Sequence, residues 1–143
     1  MSKPNVLFLC TGNSARSQMA EALLRHQAGD QFEVLSAGTT PKGVHPLTLA
    51  VLQETGVDTS GLRSKALTEY LGKLLVKHLI VVCQSADQEC PAIWPGVAER
   101  HFWPFPDPAA HTDRPEEALA AFRSVRDAIA ARITEWLQSL KTA

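Results

Sequence analysis

No apolar run in the chain approaches the roughly 18 residues that a membrane span requires; the longest candidates, Val6–Cys10 and Leu79–Cys83, have the length of strands. Charge of one sign is also lacking. The 14 Lys+Arg stand against 15 Asp+Glu, a net charge of −1, so nothing points to nucleic acid or another extended polyanion as partner. The start, Met1-Ser2-Lys3-Pro4, enters a short apolar stretch without the hydrophobic core or small-residue cleavage site of a secretory signal, which makes a cytoplasmic location the expectation. Cysteines are few and odd in number. Three cannot all pair within one chain, and in a reducing compartment they are expected as thiols, ligands or redox catalysts rather than staples. Cys83 and Cys90 are separated by six residues, the wrong spacing for a Cys-x-x-Cys site, and His78, His101 and His111 are scattered, so no metal site is expected.

What is present reads as one globular domain over residues 1–143, with 45% apolar and 20% charged residues and no repeats, linkers or low-complexity tracts. A monomer is the expectation from size and composition. Asn5–Cys10 has no polar face and reads as a central parallel strand. A loop follows, then a helix beginning on Ser17, with Ala20, Leu23 and Leu24 as its apolar face and Gly29-Asp30 as its stop. Phe32–Ser36 is expected as a second strand. A helix opening at Pro46 would turn Leu47, Ala50 and Val51 inward, and a short helix after Thr68 would do the same with Leu71, Leu74 and Leu75. Leu79–Cys83 and Arg100–Trp103 supply the third and fourth strands, and Pro104, Pro106 and Pro108 hold the next segment extended. The last helix is marked by Asp113-x-x-Glu116 and by Ala118, Phe122, Val125, Ile129, Ile133, Leu137 and Leu140 at spacings of three or four. This alternation predicts an α/β fold, an open four-stranded parallel sheet with helices on both faces.

Cys10-Thr11-Gly12-Asn13-Ser14-Ala15-Arg16-Ser17 carries the chemistry. It sets a thiol at the end of a strand, five small or turn-forming residues, then an arginine at the mouth of a helix. Backbone N–H groups of such a loop converge on one concavity, the helix dipole adds about half a positive charge, and Arg16 can clamp a tetrahedral oxyanion bidentately. The same field is expected to make Cys10 a thiolate at neutral pH. No Gly-Lys-Ser/Thr follows, so a nucleotide loop is excluded. Ligands of open α/β sheets bind at the carboxyl ends of the strands, where Cys83 and Asp107 also fall. Asp107, stiffened between Pro106 and Pro108, is a candidate general acid. The polar stretch between Cys83 and Cys90 suits disulfide exchange.

Together with Ser36-Ala37-Gly38, the Cys83/Cys90 pair and Asp107-Pro108, this loop resembles that of the low-molecular-weight protein tyrosine phosphatases and, within them, the thioredoxin-coupled arsenate reductases. The resemblance implies a bound arsenate held by Thr11, Gly12, Asn13, Ser14, Ala15, Arg16 and Ser17. It also implies attack by Cys10, protonation by Asp107, and a relay through Cys83 and Cys90 to thioredoxin or a similar thiol carrier, with no bound cofactor. Asn13 would hold the loop in shape, and Ser17 would steady the Cys10 sulfur. Some relatives bind potassium near the loop asparagine; here the Lys65 ammonium is expected in that region. The alternatives are a phosphatase on the same scaffold and an oxyanion-binding redox sensor. Ala109-Ala110-His111 follow Asp107-Pro108 where tyrosine phosphatases carry a tyrosine, and the single tyrosine, Tyr70, lies elsewhere.

Overall fold

The computed structural model describes residues 3–70, 72–82, 97–110 and 114–142. In chain order these form β1 (Asn5–Cys10), α1 (Arg16–Ala28), β2 (Glu33–Gly38), α2 (Pro46–Glu54), β3 (Val76–Val81), β4 (Val97–Phe102) and α3 (Pro115–Thr142), with 3-10 turns at Leu67–Glu69 and Pro108–Ala110. The strands make one parallel sheet in the order β2-β1-β3-β4. The expected architecture is therefore observed. Along β1, Val6 and Phe8 face one way and Leu7 and Leu9 the other, and all four are wholly buried, as are Leu79, Ile80 and Val81 of β3. Both faces of the central strands are thus covered, which is why these segments contain no alternation for solvent.

On α3 the buried positions Ala118, Phe122, Val125, Ile129, Ile133 and Trp136 form one stripe; the helix packs on α1 and α2, and Trp136 meets His78 and His101 of the sheet. Arg126, also buried, donates from Nη1 to the Val51 carbonyl and to Glu54 Oε1, both at 2.9 Å, so α3 supplies partners to the carboxyl end of α2. Among the described residues, no helix is long and apolar enough to cross a membrane.

Several local expectations shift. Helix α1 begins at Arg16, ahead of the expected start, which puts the guanidinium on the first turn. In α2 the buried residues are Thr48, Val51 and Leu52, and Ala50 is exposed; Thr48 turns inward because its hydroxyl donates to the Ser14 carbonyl at 2.9 Å. The segment after Thr68 makes a single 3-10 turn instead of a helix, and Gly72, at φ 76°, takes the chain into a left-handed turn. As a result Leu75 is 77% exposed rather than inward. Strand β3 starts earlier than Leu79, and β4 earlier than Arg100. Trp103 is buried and Phe105 packs against the core, but Phe102 is exposed. Leu71, His111, Asp113 and the Cys83/Cys90 segment lie outside the described residues.

Candidate active site

Five consecutive carbonyls of the loop after β1 are engaged from outside it. Thr40 N–H donates to Thr11 O at 2.8 Å, Lys42 N–H to Gly12 O at 2.9 Å, Gln18 Nε2 to Asn13 O at 3.0 Å, His45 N–H to Ser14 O at 3.1 Å and Met19 N–H to Ala15 O at 2.8 Å. A trans peptide points its N–H opposite to its C=O, so the N–H groups of Gly12 through Arg16 are turned the other way, toward the concavity. Helix α1 adds to this field. Its N-cap, Ala15, makes no side-chain capping bond and its first turn has no acidic residue, leaving the positive helix end for a ligand.

Asn13 sets the loop's shape. It sits at φ 45°, an uncommon angle for a residue other than glycine. Its Nδ2 donates to Ser17 Oγ at 2.8 Å and Ser36 Oγ at 2.9 Å, while its Oδ1 accepts from Lys65 N–H at 2.7 Å and Gln18 Nε2 at 3.0 Å. Asn13, Ser17, Gln18 and Ser36 are fully buried, so Asn13 and Ser17 support the loop from beneath while Thr11, Gly12, Ser14, Ala15 and Arg16 line the cavity. The end of β2 presses on the same point. A Cβ at Gly38 would stand 2.6 Å from Thr11 O and 2.9 Å from Asn13 N, closer than any real side chain sits. Glycine in Ser36-Ala37-Gly38 is a steric requirement of the loop.

Beneath the loop, the Lys65 ammonium donates to Arg63 O at 2.6 Å and lies 3.4 Å from Glu21 Oε1 and 3.5 Å from Ser36 Oγ. Glu21 also accepts from Ser36 Oγ at 2.5 Å and from Arg25 Nη2 at 2.7 Å. Burial holds the Lys65 pKa below the usual lysine value, with the Glu21 carboxylate opposing that shift.

The cavity above encloses about 240 Å³, with Cys10, 3% exposed, in its lining. Arg16 and Asp107 meet at its rim. Arg16 Nη1 donates to Phe105 O at 3.1 Å, and Nη2 lies 4.0 Å from Asp107 Oδ2. Asp107 reaches this position because the chain leaving β4 stays beside β3, with Trp103 N–H on Val81 O at 2.7 Å and Phe105 N–H on Val82 O at 3.2 Å. Its Oδ1 accepts from Ala109 N–H at 3.0 Å, which leaves the half-exposed carboxyl facing the opening. The arrangement provides a sulfur, a ring of amides, a guanidinium and a carboxyl around a space fit for a tetrahedral oxyanion.

Lys42 was not foreseen. It lines the cavity with its stem against Gly12, 3.5 Å from where a Cβ there would be. Its only sequence signal is a basic residue in the connection after β2, at the carboxyl edge of the sheet. Cys83 and Cys90 lie outside the described residues; the last one before them, Val82, donates its N–H to Leu9 O at 3.0 Å.

A profile of the low molecular weight phosphotyrosine protein phosphatases matches residues 5–143. The chain belongs to this family. Within it, an arsenate reductase from Halalkalibacterium halodurans is 41% identical over 143 residues, 99% of this chain and 100% of the relative. Among solved structures, an arsenate reductase in the phosphate binding state superposes with a TM-score of 0.79 at 27% identity, over 95% of this chain and 98% of that one. A thioredoxin-dependent arsenate reductase from Corynebacterium glutamicum superposes with a TM-score of 0.73 at 33% identity, over 98% of this chain and 63% of that one.

The steric argument at Gly38 has a direct test. Gly38→Ala is expected to displace the loop and weaken phosphate binding by calorimetry at least about tenfold, the equivalent of roughly 1.4 kcal/mol, with the circular dichroism of the fold retained. Unchanged phosphate affinity would show that the loop tolerates the added methyl.

Proposed function

We propose that the chain is an arsenate reductase that works through a three-cysteine relay. The observation that carries this reading is the cavity in which Cys10 faces a loop whose carbonyls are all bonded outward, in a family member whose 41% identical relative is an arsenate reductase. Arsenate enters with its oxygens on the loop amides, Arg16 and Lys42. The Cys10 thiolate attacks arsenic, a hydroxyl leaves with a proton from Asp107, and a sulfur–arsenic bond forms. Cys83 then attacks the Cys10 sulfur. A Cys10–Cys83 disulfide forms as the sulfur–arsenic bond breaks, and its electron pair stays on arsenic, which leaves as arsenite. Cys90 attacks Cys83, which frees Cys10 and moves the disulfide to Cys83–Cys90, where a thioredoxin-type dithiol reduces it. The register that pairs Leu9 with Val81 supports a part for Cys83, since Val82, the residue before it, bonds to the strand that ends in Cys10.

Phosphate ester hydrolysis needs only the sulfur, the clamp and the acid, so a slow phosphatase activity accompanies the reductase. Reduction of arsenic(V) needs two electrons in addition, and a second and third thiol supply them. Ala109 in the cavity lining offers no aromatic wall for a phenyl ring, which favours a small inorganic oxyanion over phosphotyrosine. The Lys65 ammonium, bonded among Glu21, Ser36 and Arg63 O beneath Asn13, serves as a built-in monovalent cation for the loop.

Cysteine substitutions test the relay. Cys90→Ser is expected to release one arsenite per chain and stop as a Cys10–Cys83 disulfide, identified by thiol-labelling mass spectrometry. Cys83→Ser is expected to release none, and both variants should keep p-nitrophenyl phosphate hydrolysis. Multiple arsenite turnovers in either variant would exclude the relay. The internal cation predicts equal reductase rates in potassium and sodium chloride at matched ionic strength; a rise specific to potassium would contradict it.

A further inference from the structure

His78 and His101 are 23 positions apart in the chain, yet their rings meet. The parallel register pairs His78 of β3 with Glu99 of β4, and Ile80 with His101, so His78, Glu99 and His101 project from one face of the sheet at its β4 edge. Three potential donor atoms converge there: His78 Nδ1 lies 3.1 Å from His101 Nε2 and 3.0 Å from Glu99 Oε2, and the last two atoms are 3.6 Å apart. A tetrahedral ion with bonds of about 2.0–2.2 Å has donor-to-donor edges of roughly 3.3–3.6 Å. The triangle is close to one face of such a tetrahedron.

From this geometry we infer that His78 Nδ1, Glu99 Oε2 and His101 Nε2 form a binding site for a divalent transition-metal ion of the zinc class, separate from the oxyanion cavity. Two imidazoles and one carboxylate suit zinc, cobalt or nickel; magnesium and calcium prefer all-oxygen sets. The fourth position opens to solvent on the side of Glu99, whose side chain is 52% exposed against 4% for His78 and 23% for His101. The aromatic surround fixes both rings. His78 stands edge-on to Trp136 at 4.9 Å and to Phe32 at 6.4 Å, and His101 packs on Trp136 at 5.9 Å and Trp103 at 6.3 Å. Rings held in place this way lose little freedom when an ion binds.

Burial pushes the pKa of both imidazoles below the ordinary value, the Glu99 carboxylate opposes it, and the nearby charges of Lys77 at His78 and Arg132 at His101 reinforce it. An ion bound here displaces the protons that these ring nitrogens carry, so its affinity falls on acidification. The bound ion would tie β4 to β3. That strand leads through Trp103 and Phe105, whose carbonyl Arg16 holds, to Asp107, so the site steadies the edge from which the acid hangs.

Cobalt and zinc titrations of the reduced, full-length chain at about pH 7.5, above the free imidazole value of about 6.5, test the site. Cobalt is expected to bind one per chain, with a visible ligand-field absorption, no near-ultraviolet thiolate-to-cobalt band, and displacement by zinc. Loss of a second-shell partner costs 10–100-fold in metal affinity, so His101→Gln and Glu99→Gln, each removing a direct ligand, should weaken binding by at least about tenfold. Glu99→Gln, at a half-exposed position, keeps the test decisive should the histidine variant fold poorly. Absence of cobalt uptake, a thiolate band at one equivalent, or unchanged affinity in Glu99→Gln would overturn the assignment.

Discussion

Asn13 is where the loop, helix α1, strand β2 and the segment at Lys65 are joined through one carboxamide. Holding a residue other than glycine in the left-handed region costs of order 1–3 kcal/mol. Asn13 offsets this with four side-chain hydrogen bonds, to Ser17, Ser36, Gln18 and the Lys65 backbone, each of about 1 kcal/mol. The sum favours the strained form, in which the loop carbonyls meet the donors at Thr40, Lys42 and His45. The amides left facing the cavity are a consequence of this outward bonding.

Everything chemical in the site inherits that frame. The sulfur of Cys10 is placed by a strand buried on both faces, Arg16 by the first turn of an uncapped helix, and Asp107 by the backbone bonds that hold Trp103 and Phe105 against β3. Arg16 bonds the Phe105 carbonyl as well as facing the cavity, so Arg16 and the segment that carries Asp107 are mechanically one unit. A tetrahedral ion in this space meets positive charge from Arg16, Lys42 and the helix end at once. Among the described residues no buried carboxylate competes for it, since Glu21 is engaged by Lys65, Arg25 and Ser36.

Much of this was legible in the chain because it is contiguous. Cys10 through Ser17 spell strand end, loop and helix start within one stretch, and the stripe from Ala118 to Ile133 reads as a helix from its period alone. Features made by pairing distant segments were not. Gly38 is required by the approach of Thr11 and Asn13, and Lys42 becomes a site residue only through its bond to Gly12. His78, Glu99 and His101 meet only because β3 and β4 lie side by side in register. Local pattern also misled where a side chain served another element: Thr48 turns inward to bond Ser14 in place of Ala50, and Gly72 diverts the chain so that Leu75 faces solvent.

This frame is expected to keep the Cys10 sulfur ionised at neutral pH. The thiolate absorbance of a Cys83→Ser/Cys90→Ser variant, in which Cys10 is the sole cysteine, followed against pH, tests it directly. The expected midpoint lies within the range of about 3.5–7.5 found beside helix N-termini and cations; a midpoint near the free-thiol value of about 8.5 would show that the loop leaves the thiol protonated.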